Sequence, residues 1–168
     1  MNEQTIQDVI EAQRGRFYGK YRGVVTQVDP QTMRIKASVP AVLGSTESGW
    51  ALPCVPYAGD SVGFAFLPET GSGVWIEFEG GNVSFPIWTG GFWLSNQVPS
   101  DAAAAVKVIV TKQIKMMFND DHDSVTIQDS NGNSVTMDSS GITMARGSQS
   151  VQVGDGQVNV NSGALEVT

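Results

Sequence analysis

The sequence predicts an all-β chain in two parts, a small barrel and then a thin needle shared between copies, preceded by one short helix. Three observations carry this. Residues 18–94 alternate β-forming stretches with Gly-, Pro- and Asp-rich turns and hold all four tryptophans. Residues 107–168 hold a single aromatic, Phe118, and a series of alternating aliphatic pairs. Between them lies SNQVPSDAAAAV, residues 95–106, a proline-containing stretch of small residues that reads as a linker.

Taken in order, residues 1–17 read as a helix. Ile6, Val9, Ile10 and Phe17 fall on one face with Gln, Glu and Arg between them. Nothing local is available for that face to pack on, so Ile6, Val9 and Ile10 are read as a docking face for a partner.

Six strands are predicted over 18–94: Tyr21–Val28, Met33–Val39, Gly49–Val55, Ser61–Leu67, Val74–Glu79 and Pro86–Phe92. Turn signals separate them, among them Asp29-Pro30, Ala58-Gly59-Asp60 and Gly80-Gly81-Asn82. Short strands at this spacing fit a five-stranded OB-type barrel, with the aromatic and β-branched residues as its core.

In residues 107–168 the pairs are Ile114/Met116, Val125/Ile127, Val135/Met137, Ile142/Met144, Val151/Val153, Val158/Val160 and Leu165/Val167. The last six pairs begin 10, 7, 9, 7 and 7 residues apart. Gly, Asn, Asp and Ser fill the intervals, a crude repeat of short strands and tight turns. Each strand has an apolar face of two residues and a polar face of Thr, Gln, Asn or Ser. Such a ribbon cannot bury its own apolar side. A disordered tail is disfavoured by the regular alternation, and a single-chain solenoid by the short repeat. Identical ribbons wound about one axis solve the problem. The inward residues Val125, Ile127, Val135, Met137, Ile142, Met144, Val151, Val153, Val158 and Val160 then form a shared core, with strand edges paired between chains. An assembly of several identical copies is therefore expected.

Composition narrows the function. The chain has 168 residues, 40% of them hydrophobic, and a net charge of −7. An acidic balance with scattered basic residues argues against nucleic acid as partner. Cys54 is the only cysteine, so an internal disulfide and a cysteine-based zinc site are both excluded, and it reads as a buried apolar thiol. The first twenty residues contain no apolar signal-peptide core, and no stretch approaches a membrane span. Synthesis in a cytosol, with the chain staying soluble there, is expected.

Several stretches resemble one family. Tyr21-Arg22-Gly23-Val24-Val25 is similar to the opening barrel strand of phage baseplate assembly protein V. Val39-Pro40-Ala41-Val42-Leu43-Gly44 and Ser48–Gly59 resemble that family's most characteristic run. Pro68–Gly81 and Pro86-Ile87-Trp88-Thr89-Gly90 resemble its later strands. Asp129–Asn133 and Ser139–Ile142 resemble the start of its needle. The same barrel occurs in valine-glycine repeat spike proteins of type VI secretion. The resemblance implies an OB-fold domain (18–94) followed by an intertwined triple-stranded β-helix (107–168) in a homotrimer. It also implies a place at the centre of a contractile-tail baseplate, joined to a hub protein and driven transiently into a target envelope. Many relatives hold an iron at the tip through a His-x-His motif. Here the single histidine, His122, lies far from Thr168, so no metal or other cofactor is expected. A separate PAAR-type protein near Ala164–Thr168 is the expected tip.

No catalytic constellation stands out. Glu69, Glu77 and Glu79 lack the opposed cleft that a two-carboxylate glycosidase needs. His122, between Asp121 and Asp123, reads as part of a solvated acidic loop, or in a trimer as one of three gathered loops around a cation. Asp129-Ser130-Asn131-Gly132-Asn133 lacks the closing glutamate of a calcium loop and reads as a β-turn. Gly71-Ser72-Gly73 precedes no helix and is not a nucleotide loop. A structural, non-enzymatic role is expected. The alternative is an OB module that binds oligosaccharide or single-stranded nucleic acid, although the basic groove such binding uses is missing.

Overall fold

A computed structural model of the chain describes residues 6–7 and 14–167. It divides into two compact units, Met1–Gln97 and Val98–Thr168. The break falls inside the segment read as a linker.

The first unit is built on a five-stranded sheet. Its strands are β1 (Tyr21–Asp29), β2 (Arg34–Ser38), β3 (Leu52–Pro53), β6 (Gly73–Phe78) and β7 (Pro86–Phe92), in the order β2-β1-β6-β7-β3. All neighbours are antiparallel except β3 and β7, which are parallel. The sheet curls into the half-barrel of an OB fold. A two-stranded hairpin, β4 (Ala58–Gly59) with β5 (Val62–Gly63), stands apart from it.

Alternation builds the core. In β6, Val74, Ile76 and Phe78 point inward while Trp75 and Glu77 point outward. They meet Val25, Ile35, Ala37, Val39, Ala51 and Trp88, all buried. Each such aliphatic side chain contributes about 1.5–3 kcal/mol on leaving water. The buried Trp88 indole has its polar atom satisfied, since Nε1–H donates to the Met33 carbonyl at 3.2 Å. Ser48, also buried, accepts the Ala37 N–H through Oγ and donates to the Gly49 carbonyl.

Four expectations need correction here. Ser61–Leu67 forms a strand only at Val62–Gly63. Beyond it, Phe64 N–H donates to the Tyr57 carbonyl, and Phe64 and Phe66 stay exposed with their rings stacked. Gly49–Val55 likewise shrinks to Leu52–Pro53, and Cys54 is exposed rather than buried. Phe17 is not helical. Its N–H donates to the Gly81 carbonyl and its ring packs edge-on against Tyr21 and Phe78. Ile6 is helical and exposed, whereas Val9 and Ile10 lie outside the described residues.

The second unit is one antiparallel meander. Its strands are β8 (Val106–Val110), β9 (Ile114–Asn119), β10 (Ser124–Asp129), β11 (Asn133–Asp138), β12 (Gly141–Arg146), β13 (Gln149–Val153), β14 (Val158–Val160) and β15 (Leu165–Val167), each paired with the next. The strands shorten from six residues in β9–β12 to three in β14 and β15. Backbone pairing runs from strand to strand within the chain, so the ladder of the inner strands β9 to β14 is complete without another copy. β8 was hidden in the sequence. The run Ala102–Val110 is apolar almost throughout and shows no alternation.

Candidate functional site

The register joins the aliphatic pairs of successive strands across the sheet. Val125 lies opposite Met137, Met137 opposite Ile142, Ile142 opposite Val153, and Val153 opposite Val158. Two residues along, Ile127 lies opposite Val135, then Met144, Val151 and Val160. Residues two apart on a strand share a face. All ten therefore form two unbroken cross-strand rows of five on one face of the sheet. A slip of one residue at any hairpin would send the rest of a row to the opposite face.

The rows extend past the ten. On β9 the members are Phe118, opposite Val125, and Met116, opposite Ile127; Ile114 faces Asp129 at the sheet margin. Ile109 on β8 continues the row through Met116. Phe118 was legible in principle, because it continues the period-two run Ile114, Met116. Ile109 was not, because its strand carries apolar residues on both faces.

This face is uncovered in the single chain. Ile127 and Val135 are each 41% exposed, Met144 52% and Leu165 59%. Among the described residues of this unit none is buried. The other face carries Thr126, Thr136, Thr143, Gln152 and Asn159 in register, with the Thr126 and Thr136 hydroxyl oxygens 3.4 Å apart. Half-buried threonines on one side and bare aliphatics on the other make the sheet a half-finished sandwich. An apolar surface this continuous marks an association face.

The hairpins that hold the register open on Asx turns. Asp129 accepts the backbone N–H of Asn131 and of Asn133, and the Asn133 side-chain amide at 2.6 Å. These donors, the Asn133 amide first, hold its carboxyl down at about 2. Asp138 accepts the Ser140 hydroxyl and N–H, which lowers it too. Asn119 does the same for Asp121 and His122. Asp129-to-Asn133 is thus a β-turn whose oxygens are already engaged by the protein. In the barrel unit, Glu77 is engaged by Lys20 at 2.7 Å, and Glu79 opens a short 3-10 turn. Among the described residues no three His, Cys, Asp or Glu side chains gather in a way that would hold a metal ion.

A half-barrel OB unit followed by a meander with one bare aliphatic face defines a class: a barrel that carries an oligomerisation module. Comparison with known families makes this specific. Residues 21–93 match the type VI secretion system/phage-baseplate injector OB domain. Residues 106–166 match the phage baseplate V C-terminal trimerisation domain. The chain belongs to the phage baseplate V family of spike-type injector proteins. That family is a structural component of baseplates, which makes the chain part of a phage tail or injection particle. No curated protein matches the chain.

Proposed function

We propose that three copies of this chain form the central spike of a contractile baseplate, and that the spike is driven through a target envelope when the sheath contracts. The observation that carries the reading is the pair of exposed aliphatic rows in a unit none of whose described residues is buried. Three such sheets set around one axis with these faces inward would cover Val125, Ile127, Val135, Met137, Ile142, Met144, Val151, Val153, Val158 and Val160 together. The narrowing from β12 to β15 supports a tapering shaft. A shaft whose core is shared resists unfolding, because no copy loses its sheet without exposing the other two.

In this reading Ile6, Val9 and Ile10 dock on a hub protein beneath the tube, the barrel widens the shaft there, and a PAAR-type protein caps the narrow end near Ala164–Thr168. Copies are made in the bacterial cytoplasm and built into particles there.

Native mass determination of the full chain tests the assembly: a species of three times 17.9 kDa is expected. Particles carrying Met144→Lys test the piercing role. They should bind target cells without causing potassium efflux. Efflux at the normal rate from such particles, with the variant present in the baseplate, would contradict it.

A further inference from the structure

The meander sorts its turns onto two opposite edges of the sheet. The β9–β10, β11–β12 and β13–β14 turns lie on one edge, and the β8–β9, β10–β11, β12–β13 and β14–β15 turns on the other. The charges follow this sorting. The first edge holds Asp120, Asp121 and Asp123 in one turn, Asp138 at the end of β11 and Asp155 beyond β13. Its one lysine is Lys107, which is ion-paired with Asp120, and His122 lies in the same turn as the three aspartates. The second edge holds Lys112 and Arg146, with Lys115 paired to Asp101. Its remaining acid, Asp129, is occupied within its own turn. Arg146 is exposed and forms no ion pair among the described residues.

We infer that these two edges are the two halves of one contact between copies: the acidic turn edge of each chain docks on the Arg146 edge of the next. This rests on the proposed trimer and adds what fixes its orientation. A closed three-fold ring uses a head-to-tail contact, so each copy must offer two different, complementary surfaces. A sheet with its aliphatic face turned to the axis offers its two lateral edges, and here they have opposite sign. If one copy entered upside down with its apolar face still inward, its edges would exchange places. Acidic turns would then meet acidic turns. The aliphatic rows alone do not forbid that inverted copy, since both rows are apolar along the whole sheet. The charge segregation does. A three-fold rotation carries no rise, so Arg146 at the β12–β13 turn comes opposite the interval between the β11–β12 and β13–β14 turns. Asp138 and Asp155 are its nearest acids there, each about one strand spacing, ~4.8 Å, away along the axis.

The test uses the full chain and charge reversal at two exposed positions: Arg146, two residues beyond Met144 at the margin of the aliphatic face, and Asp155 in the β13–β14 turn. Arg146→Glu and Asp155→Arg are made singly and together, with Arg146→Gln as the milder variant. The trimer fraction is followed by native mass spectrometry on dilution, at about 0.05 and about 1 M NaCl. Each single reversal should raise the apparent dissociation constant by about tenfold or more at low salt, and by much less at high salt. The double reversal should return it to within about threefold of the unmodified chain. Arg146→Gln should fall between. Unchanged trimers from both single variants, or a double variant as weak as the sum of its parts, would overturn the edge contact and leave the edges to solvent. A monomeric unmodified chain would instead remove the trimer on which the contact rests.

Discussion

Val135 stands directly between Ile127 and Met144, opposite one on β10 and opposite the other on β12, and it remains 41% exposed. It has apolar neighbours on both sides and nothing above it. Replacing it with aspartate leaves the hairpins of a single chain intact, because an exposed strand position tolerates a charge. In three packed copies the same change sets three carboxylates around one axis in low dielectric. Val135→Asp should therefore raise the dissociation constant of the trimer by more than about a hundredfold. Sedimentation of the purified variant reads this directly, and a trimer of normal strength would place Val135 elsewhere.

Gly141 opens β12 with φ at +119°, and a Cβ there would lie 2.1 Å from the Val153 carbonyl oxygen. No side chain shift relieves a clash with backbone. Gly141→Ala should force the β12–β13 pairing apart and cost more than about 3 kcal/mol by denaturant unfolding. Gly132, at φ +83° with open space around it, isolates the conformational part. Gly132→Ala should cost about 1–3 kcal/mol. Equal losses from the two would mean that the close approach at Gly141 is not what matters.

The Asx turns predict an acid limb. The carboxyls of Asp29, Asp129 and Asp138 all lie below their ordinary value, through hydrogen bonds donated by Thr32, Asn133 and Ser140 respectively. A depressed carboxyl contributes stability that is fully present above its unfolded value of 3.8 and is lost as pH falls through the folded value, about 2 for Asp129. Unfolding midpoints should therefore drop between about pH 4 and about pH 2. Asp129→Asn should lower the midpoint at neutral pH and flatten that limb. A variant whose pH profile keeps the full slope would show that Asp129 is not among the groups responsible.

The two units separate under mutation. Ile76 is fully buried in the barrel core. Ile76→Ala should destabilise the barrel by about 2–5 kcal/mol, seen in tryptophan fluorescence, since all four tryptophans lie in that unit. The trimer should persist. Loss of the trimer in step with the fluorescence change would tie association to the barrel instead of the rows.

What the sequence revealed tracks where alternation is clean. β7 occupies the predicted Pro86–Phe92, and β10 to β15 each hold their predicted pair, because one face is apolar, the other polar, and Asx or Gly closes every hairpin. Period two fixes which residues share a face but not which strand lies next to which, so the two continuous rows emerged only from the register. Alternation misled at Phe64 and Phe66, which follow the strand pattern and find no partner strand among the described residues. It was silent at β8, where Val106, Val108 and Ile109 place apolar groups on both faces. Phe17 looked helical by spacing because an i, i+7 coincidence with Ile10 mimics a helix face, while its ring belongs to the barrel.

Met144 reports, without any substitution, whether the aliphatic face is covered by sister copies. Its side chain is 52% exposed in the single chain and sits mid-row. Exposed methionines oxidise readily to the sulfoxide, and packed ones do not. The assembled protein is treated with dilute hydrogen peroxide, and Met144 oxidation is followed by peptide mass mapping against the same chain diluted until it dissociates. Slow oxidation in the assembled state and fast oxidation after dilution are expected. Oxidation of Met144 at the rate of an exposed side chain in the assembled state would contradict the shared core.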